Sequence, residues 1–239
     1  MDTVIIIPAR YKSSRFPGKP LVKILEKTLI QRVWEQCIQV PHVDVYVATD
    51  DVRIEQHCNE KGMRCIMTSK SCLTGTDRVV EAYKKLRRRY QVIVNVQGDE
   101  PLITPEDIIK VYKTNQLGLD ITCGQSKIDN INDFVNPNVV KVVSDASNYM
   151  LYASRAPIPT GKNSIFVGAY RQVCIYSFSD FVLEYFSNDR TFLETIEDIE
   201  LLRFIENGLK IKMVNVSNNS VAVDVPEDVD RVENILLGR

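Results

Sequence analysis

Residues 4–7, Val4-Ile5-Ile6-Ile7, form a short continuous apolar run that ends at Pro8. A run of that length, apolar on both faces and closed by proline, predicts a buried parallel strand. The period then changes. Leu29, Ile30, Val33, Trp34 and Cys37 recur at helical spacing and predict a helix over 28–40. The first half continues in the same rhythm. It reads as strand 44–49, helix 54–61 stopped by Gly62, strand 64–67, helix 76–89, strand 92–96 and helix 105–116. Strands alternating with helices predict an α/β fold: a mainly parallel, Rossmann-like sheet with helices on both faces.

The second half breaks that rhythm. Strands are expected at 120–126, 139–144, 149–154 and within 168–178, with a turn cluster at 133–138. A helix over 191–207, strands at 210–216 and 221–224 and a closing helix over 226–237 follow. The pattern predicts one domain over 1–239, with 124–178 as a β-rich excursion.

Composition narrows the classes. At 239 residues and 44% hydrophobic, the chain can bury a sizeable core. A net charge of −1 argues against a dedicated nucleic-acid binder. The dense basic run Lys84-Lys85-Leu86-Arg87-Arg88-Arg89 falls late in an expected helix, where cations complement the dipole, and reads as a solvated helix end. The six cysteines form no C-x-x-C pair and no signal peptide precedes the first strand, so a cytoplasmic protein with reduced thiols is expected. Two histidines, His42 and His57, argue against a zinc site or a Ser-His-Asp triad. No apolar run approaches membrane-spanning length, so no membrane partner is expected.

Candidate chemistry gathers at strand ends. The loop after the first strand carries Arg10, Arg15 and Lys19 among small residues. Guanidinium forks and a compact ammonium at a strand's C-terminal edge outline a triphosphate site. Gly18-Lys19 is followed by Pro20 and preceded at the required glycine position by Ser13, so this is not a Walker A loop. Asp99 follows the apolar run 92–96 and the turn Gln97-Gly98. It is either a magnesium ligand, which typically works with substrate phosphates, or a turn aspartate that caps a loop. Asp224 precedes Pro226-Glu227-Asp228 and is either a second ligand or part of a helix start. Thr74-Gly75-Thr76-Asp77-Arg78 offers small residues ahead of a helix, with Thr74 or Thr76 as its N-cap.

Pro8-Ala9-Arg10 with Ser14-Arg15-Phe16-Pro17-Gly18-Lys19-Pro20-Leu21 resembles the signature loop of sugar nucleotidyltransferases, in the form found in CMP-Kdo synthetases. Those enzymes are cytidylyltransferases that activate 3-deoxy-manno-octulosonate (Kdo). The likeness runs along nearly the whole chain. It includes Asn95-Val96-Gln97-Gly98-Asp99-Glu100-Pro101, Thr74–Arg78, Asn136-Pro137-Asn138-Val139-Val140-Lys141-Val142-Val143, Leu151-Tyr152-Ala153-Ser154-Arg155-Ala156-Pro157-Ile158-Pro159 and Val223-Asp224-Val225-Pro226-Glu227-Asp228.

The resemblance implies a GT-A-like nucleotidyltransferase sheet, Mg²⁺ as cofactor held by Asp99 and Asp224, and Lys19 with both aspartates as the catalytic group. Nucleotide contacts would come from Pro8, Ala9, Arg10, Arg15, Lys19, Gly75, Thr76, Arg78 and Gln97. The acceptor would meet Arg155, Gln172, Tyr176 and Glu200, with 124–178 serving sugar binding or dimerisation. A homodimer that uses CTP and a sugar acid is implied, in the supply of lipopolysaccharide or capsule. The chain departs from the family on the acceptor side, with Gln172 in place of His, Cys174 of Gly and Leu201 of Gln. The resemblance implies a 2-keto-3-deoxy sugar acid, Kdo or a close analogue, as acceptor, and those changes imply one altered from Kdo itself. A nucleotidyltransferase for another acceptor, or a catalytically silent nucleotide-binding regulator, are the alternatives.

Overall fold

The computed structural model describes residues 2–13, 15–163, 166–184 and 189–239; Ser14 of the first loop lies outside the described residues. The chain divides into two compact units, one of residues 1–109 with 219–239 and one of residues 110–218.

In the first unit, β1 (Thr3–Ala9) leads through a 3₁₀ turn (Lys19–Leu21) and a small hairpin, β2 (Lys23–Ile24) and β3 (Lys27–Thr28), into α1 (Leu29–Cys37). β4 (Val43–Thr49), α2 (Val52–Glu60), β5 (Cys65–Met67), α3 (Gly75–Lys85) and β6 (Val92–Val96) follow. Their sheet order is β6-β1-β4-β5, all parallel. β1 is buried along its whole length, as expected of an inner strand covered on both faces.

The helix starts are specified locally. Thr28 accepts the Gln31 amide at the head of α1, and Asp51 accepts the Arg53 amide at the head of α2. Thr74 and Asp77 form a reciprocal capping box on α3. Gly62, at φ +67°, lets the chain leave α2 in the left-handed region. The expected helix over 76–89 stops at Lys85, because Leu86 turns extended. The basic run therefore straddles the helix end: Lys84 and Lys85 lie in its last turn, while Arg88, beyond it, pairs with Asp2 at 2.8 Å and Asp44 at 3.3 Å.

α4 (Pro105–Asn115) leads into the second unit. Its elements are β7 (Ile121–Ile128), α5 (Ile131–Val135), β8 (Lys141–Ser144), β9 (Met150–Ser154), β10 (Ala169–Ser179), α6 (Asp180–Glu184), α7 (Phe192–Glu197), α8 (Leu201–Glu206) and β11 (Ile211–Asn215). β10 runs antiparallel to β7, β7 parallel to β11, and β8 antiparallel to both β10 and β9. The 124–178 segment lies inside this unit.

The helix expected over 191–207 is two short helices. Asp198, at φ +53°, breaks it, a conformation aspartate tolerates better than most residues. Arg203 and Glu194 then meet across the break in a bidentate pair at 2.6 Å, both almost fully buried. The last helix, α9 (Glu227–Leu236), returns to the first unit. Residues 221–224, expected as a strand, join no sheet.

Candidate active site

The loop expected to hold phosphate leaves β1 at Ala9, whose register partner is Thr49 at the end of β4. Gly18 donates its N–H to the Tyr11 carbonyl at 2.9 Å, which closes the loop. At φ +74° Gly18 occupies a backbone region that disfavours side chains, and it begins the 3₁₀ turn that carries Lys19. Lys19 Nζ donates to Asp99 Oδ2 at 2.8 Å and lies 3.6 Å from Asp224 Oδ1. Burial works against the Lys19 charge, but the Asp99 and Asp224 carboxylates outweigh it and raise its pKa above the ordinary 10.5. Arg15 reaches Asp224 at 3.2 Å, across 209 residues of sequence. Arg10 is exposed at the strand end.

Residues other than the expected site residues hold the two aspartates together. Val223 donates its N–H to the Asp99 carbonyl at 2.9 Å, which ties the Asp224 segment to the Asp99 loop. Beside it, the buried Glu100 carboxylate accepts the Ser220 hydroxyl. Asp228 accepts the amides of Asp224 and Val225 at 2.8 and 3.0 Å, so the approach to α9 is capped without a hydroxyl at Val225. Glu100 stands in the quoted 95–101 block, and only its burial distinguishes it from a surface acid.

The residues expected to meet the base lie at the neighbouring strand end. A Cβ built on Gly75 would fall 2.8 Å from Gln97 Nε2 and 2.9 Å from Oε1, so the Gln97 amide rests directly on Gly75. A Cβ on Gly98 would fall 2.7 Å from the Pro8 carbonyl oxygen. Pro8, Gly98, Gln97 and Gly75 thus form one close-packed wall, with Ala9 buried next to Pro8. Thr76 is fully buried, and its hydroxyl accepts from Asn95 Nδ2 at 3.3 Å. Arg78 is buried as well. Its guanidinium donates to the Thr68 hydroxyl at 2.6 Å and pairs with Asp50 at 3.3 Å, so its described contacts brace the loop from behind.

The expected acceptor residues sit in the second unit. Arg155 donates from Nε to the Glu197 carbonyl at 2.6 Å, from Nη1 to the Pro137 carbonyl at 3.0 Å and from Nη2 to the Asp198 carbonyl at 3.0 Å. Three main-chain carbonyls therefore occupy much of its fork. Glu197 accepts from the Ser154 hydroxyl at 2.6 Å, the Tyr152 hydroxyl at 3.2 Å and the Arg155 amide at 2.9 Å. Burial alone would raise its pKa, but these bonds prevail and hold it below the ordinary range. Lys141, fully buried, donates to the carbonyls of Asn136, Val139 and Arg155.

On β10, the buried Gln172 amide donates to the Tyr176 hydroxyl, and burial pushes the Tyr176 pKa well up, with Glu200 among the nearby charges. Gln172 Oε1 is buried without a hydrogen-bond partner among the described residues. Glu200 is half-buried at the head of α8. Leu201 is fully buried, so a polar residue replaced there belongs to the core.

Among the described residues no group of three or more His, Cys, Asp or Glu converges as a metal cage. Asp99 and Asp224 nonetheless share one cation, the Lys19 ammonium. Two hard carboxylates facing one positive charge suit Mg²⁺, which takes one or two protein carboxylates and completes its shell with phosphate and water.

Known proteins resemble this chain over nearly its whole length. The family profile described as cytidylyltransferase matches residues 4–211. The mitochondrial 3-deoxy-manno-octulosonate cytidylyltransferase of Arabidopsis thaliana is 43% identical, with 98% of this chain and 83% of that protein covered. The 3-deoxy-manno-octulosonate cytidylyltransferase of Syntrophotalea carbinolica is 42% identical over 100% of both chains. The structure of CMP:2-keto-3-deoxy-manno-octonic acid synthetase complexed with CTP superposes with a TM-score of 0.91 at 36% identity, covering 100% of this chain and 99% of that one. The chain belongs to the 3-deoxy-manno-octulosonate cytidylyltransferase family.

Proposed function

We propose that this protein transfers CMP from CTP to Kdo with release of pyrophosphate, in a Mg²⁺-dependent reaction. The observation that carries this reading is the convergence of Lys19, Arg15, Asp99 and Asp224 at strand ends of the first unit. In it, Arg15 and Lys19 neutralise the triphosphate and hold it in line, and Arg10 extends that cationic rim. Mg²⁺ held by Asp99 and Asp224 would neutralise phosphate charge and lower the pKa of the acceptor hydroxyl. The wall of Pro8, Ala9, Gly75 and Gln97 presents donors and acceptors suited to the edge of cytosine. Thr76 and Arg78 position that wall from the buried side.

On the acceptor side, Gln172, Tyr176 and Glu200 recognise the sugar hydroxyls, and Arg155 supplies positive charge toward the sugar-acid carboxylate. The acceptor is Kdo rather than a distant analogue: Leu201 is a fully buried core residue, so the departure there leaves the sugar's contacts unchanged. The protein acts in the cytoplasm as a homodimer, supplying activated Kdo for surface polysaccharide. The 124–178 segment serves sugar binding and dimerisation, and exposed Leu151 and Val167 within it suit contact with a second copy. The test is pyrophosphate release with CTP and a panel of sugar acids, with and without Mg²⁺. Release that requires CTP, Kdo and Mg²⁺ together is expected; equal use of a purine triphosphate, or no release with Kdo, would refute the reading.

A further inference from the structure

On α2, outside every motif that marks the site, Arg53 makes two contacts at once. Its Nε and Nη2 donate to Asp51 Oδ1 and Oδ2 at 2.8 and 2.7 Å, while its own amide donates to Asp51 Oδ1 at 3.0 Å. The Arg53 fork holds the Asp51 carboxyl down at about 2, so the pair stays charged at any ordinary pH. Locked in that plane, the guanidinium carbon lies 3.3 Å from the centre of the Tyr11 ring. An exposed ion pair alone contributes little. The stack is what gives this one a direction.

Tyr11 connects the stack to the phosphate loop. Its carbonyl accepts the Gly18 amide at 2.9 Å, and a Cβ on Gly18 would come within 3.1 Å of its hydroxyl oxygen. The ring is wedged between the Arg53 guanidinium and the Gly18 backbone. Gly18 in turn sets the 3₁₀ turn that carries Lys19, and Lys19 reaches Asp99.

We propose that Arg53 is a positioning residue for the phosphate loop: held by Asp51, it clamps Tyr11 against Gly18 and so fixes Lys19, without touching nucleotide. The consequence for catalysis rests on the cytidylyl-transfer reading above; the consequence for loop order does not.

The test compares the intact protein with R53A, R53K, Y11L and the double variant R53A/Y11L. Tryptic cleavage after Lys12 and Arg15, followed by mass spectrometry, reads the loop; steady-state pyrophosphate release reads KM for CTP. R53A is expected to speed cleavage and raise KM by about three-fold or more, the scale of an exposed cation–π contact. R53K, which keeps the charge but lacks the planar fork, should resemble R53A. Adding R53A to Y11L should change neither readout. If R53A costs as much in the Y11L background as alone, Arg53 acts independently of Tyr11 and the proposal is overturned. Wild-type cleavage in both R53A and R53K overturns it equally. Should the unaltered protein fail to turn over CTP, the functional reading falls while the cleavage arm still decides the role of Arg53.

Discussion

Replacing Gly75 by alanine separates function from stability in a way the packing makes quantitative. The new Cβ would meet the Gln97 amide at 2.8 Å, against about 3.4 Å for an ordinary contact, so the amide must retreat by about 0.6 Å. Nothing backbone-bound stands among the three nearest atoms, and Gln97 can comply by moving its side chain. Gly75 is the first residue of α3, where alanine is the better helix former by at most about 1 kcal/mol. The fold should therefore keep or slightly gain stability. Base recognition should suffer, because a misplacement of about 1 Å at a positioning group can cost about 10²-fold in rate. We expect kcat/KM for CTP to fall about ten-fold, equivalent to about 1.4 kcal/mol of transition-state binding, with a smaller preference for CTP over UTP. Pyrophosphate release with both nucleotides, alongside urea unfolding, measures each half. The paired control is Gly98→Ala. Its Cβ would strike the Pro8 carbonyl oxygen at 2.7 Å, a strand atom that cannot step aside, so a stability loss of about 1–3 kcal/mol is expected. Wild-type use of CTP by a folded Gly75→Ala protein would refute the placement of the base against Gln97. A Gly75→Ala protein as destabilised as Gly98→Ala would refute the claim that only the amide moves.

Asp99→Asn and Asp224→Asn should each lower kcat by about 10² or more with the fold retained, read as pyrophosphate release beside circular dichroism; near-normal turnover in either removes that aspartate from the catalytic group. Arg203→Met removes the bidentate partner of the buried Glu194 carboxylate, leaving it Arg190 at 3.5 Å, and should cost up to about 3–5 kcal/mol in urea unfolding, whereas replacing both Arg203 and Glu194 by methionine should recover much of that loss. Burial, helped by Lys61, holds His57 below its ordinary pKa, so the unfolded chain takes up this proton first. The stability tied to neutral His57 is complete above about pH 6.5 and declines as pH falls through its lower folded value. Tm measured between pH 7.5 and 5 should drop in the parent protein and drop less in His57→Gln; parallel curves would discount His57.

What the sequence made legible were features whose cause is local. A buried inner strand must be apolar throughout, and Val4–Ile7 is. The start of α3 is written in Thr74 and Asp77, which cap each other within four residues. Strand ends followed by Lys19 or Asp99 were readable as a candidate site because parallel sheets bind at that edge, and the structure brings these two side chains to 2.8 Å. Features with distant causes were not legible. The 191–207 stretch has unbroken helical spacing, and only the left-handed turn at Asp198 shows that Glu194 and Arg203 pair across a break. Residues 221–224 alternate like a strand but make one decisive bond, Val223 to Asp99, which no short-range pattern encodes. The chemistry of Arg155 was plain; its engagement with three carbonyls was not, since those carbonyls belong to two separate segments.

The first unit is discontinuous, and that has a consequence for how the protein is made. Residues 1–109 carry the phosphate loop and Asp99, but Asp224 belongs to the returning segment 219–239. During translation the whole of 110–218 must leave the ribosome before Val223 can bond Asp99 or Arg15 can pair with Asp224. A nascent chain, or one clipped within 110–218, holds three cations and a single carboxylate. On the function proposed above, it could attract a triphosphate yet would lack the second carboxylate for transfer. Synthesis order thus works as a delay: Arg10, Arg15, Lys19 and Asp99 are made early, and Asp224 only after the whole of the second unit.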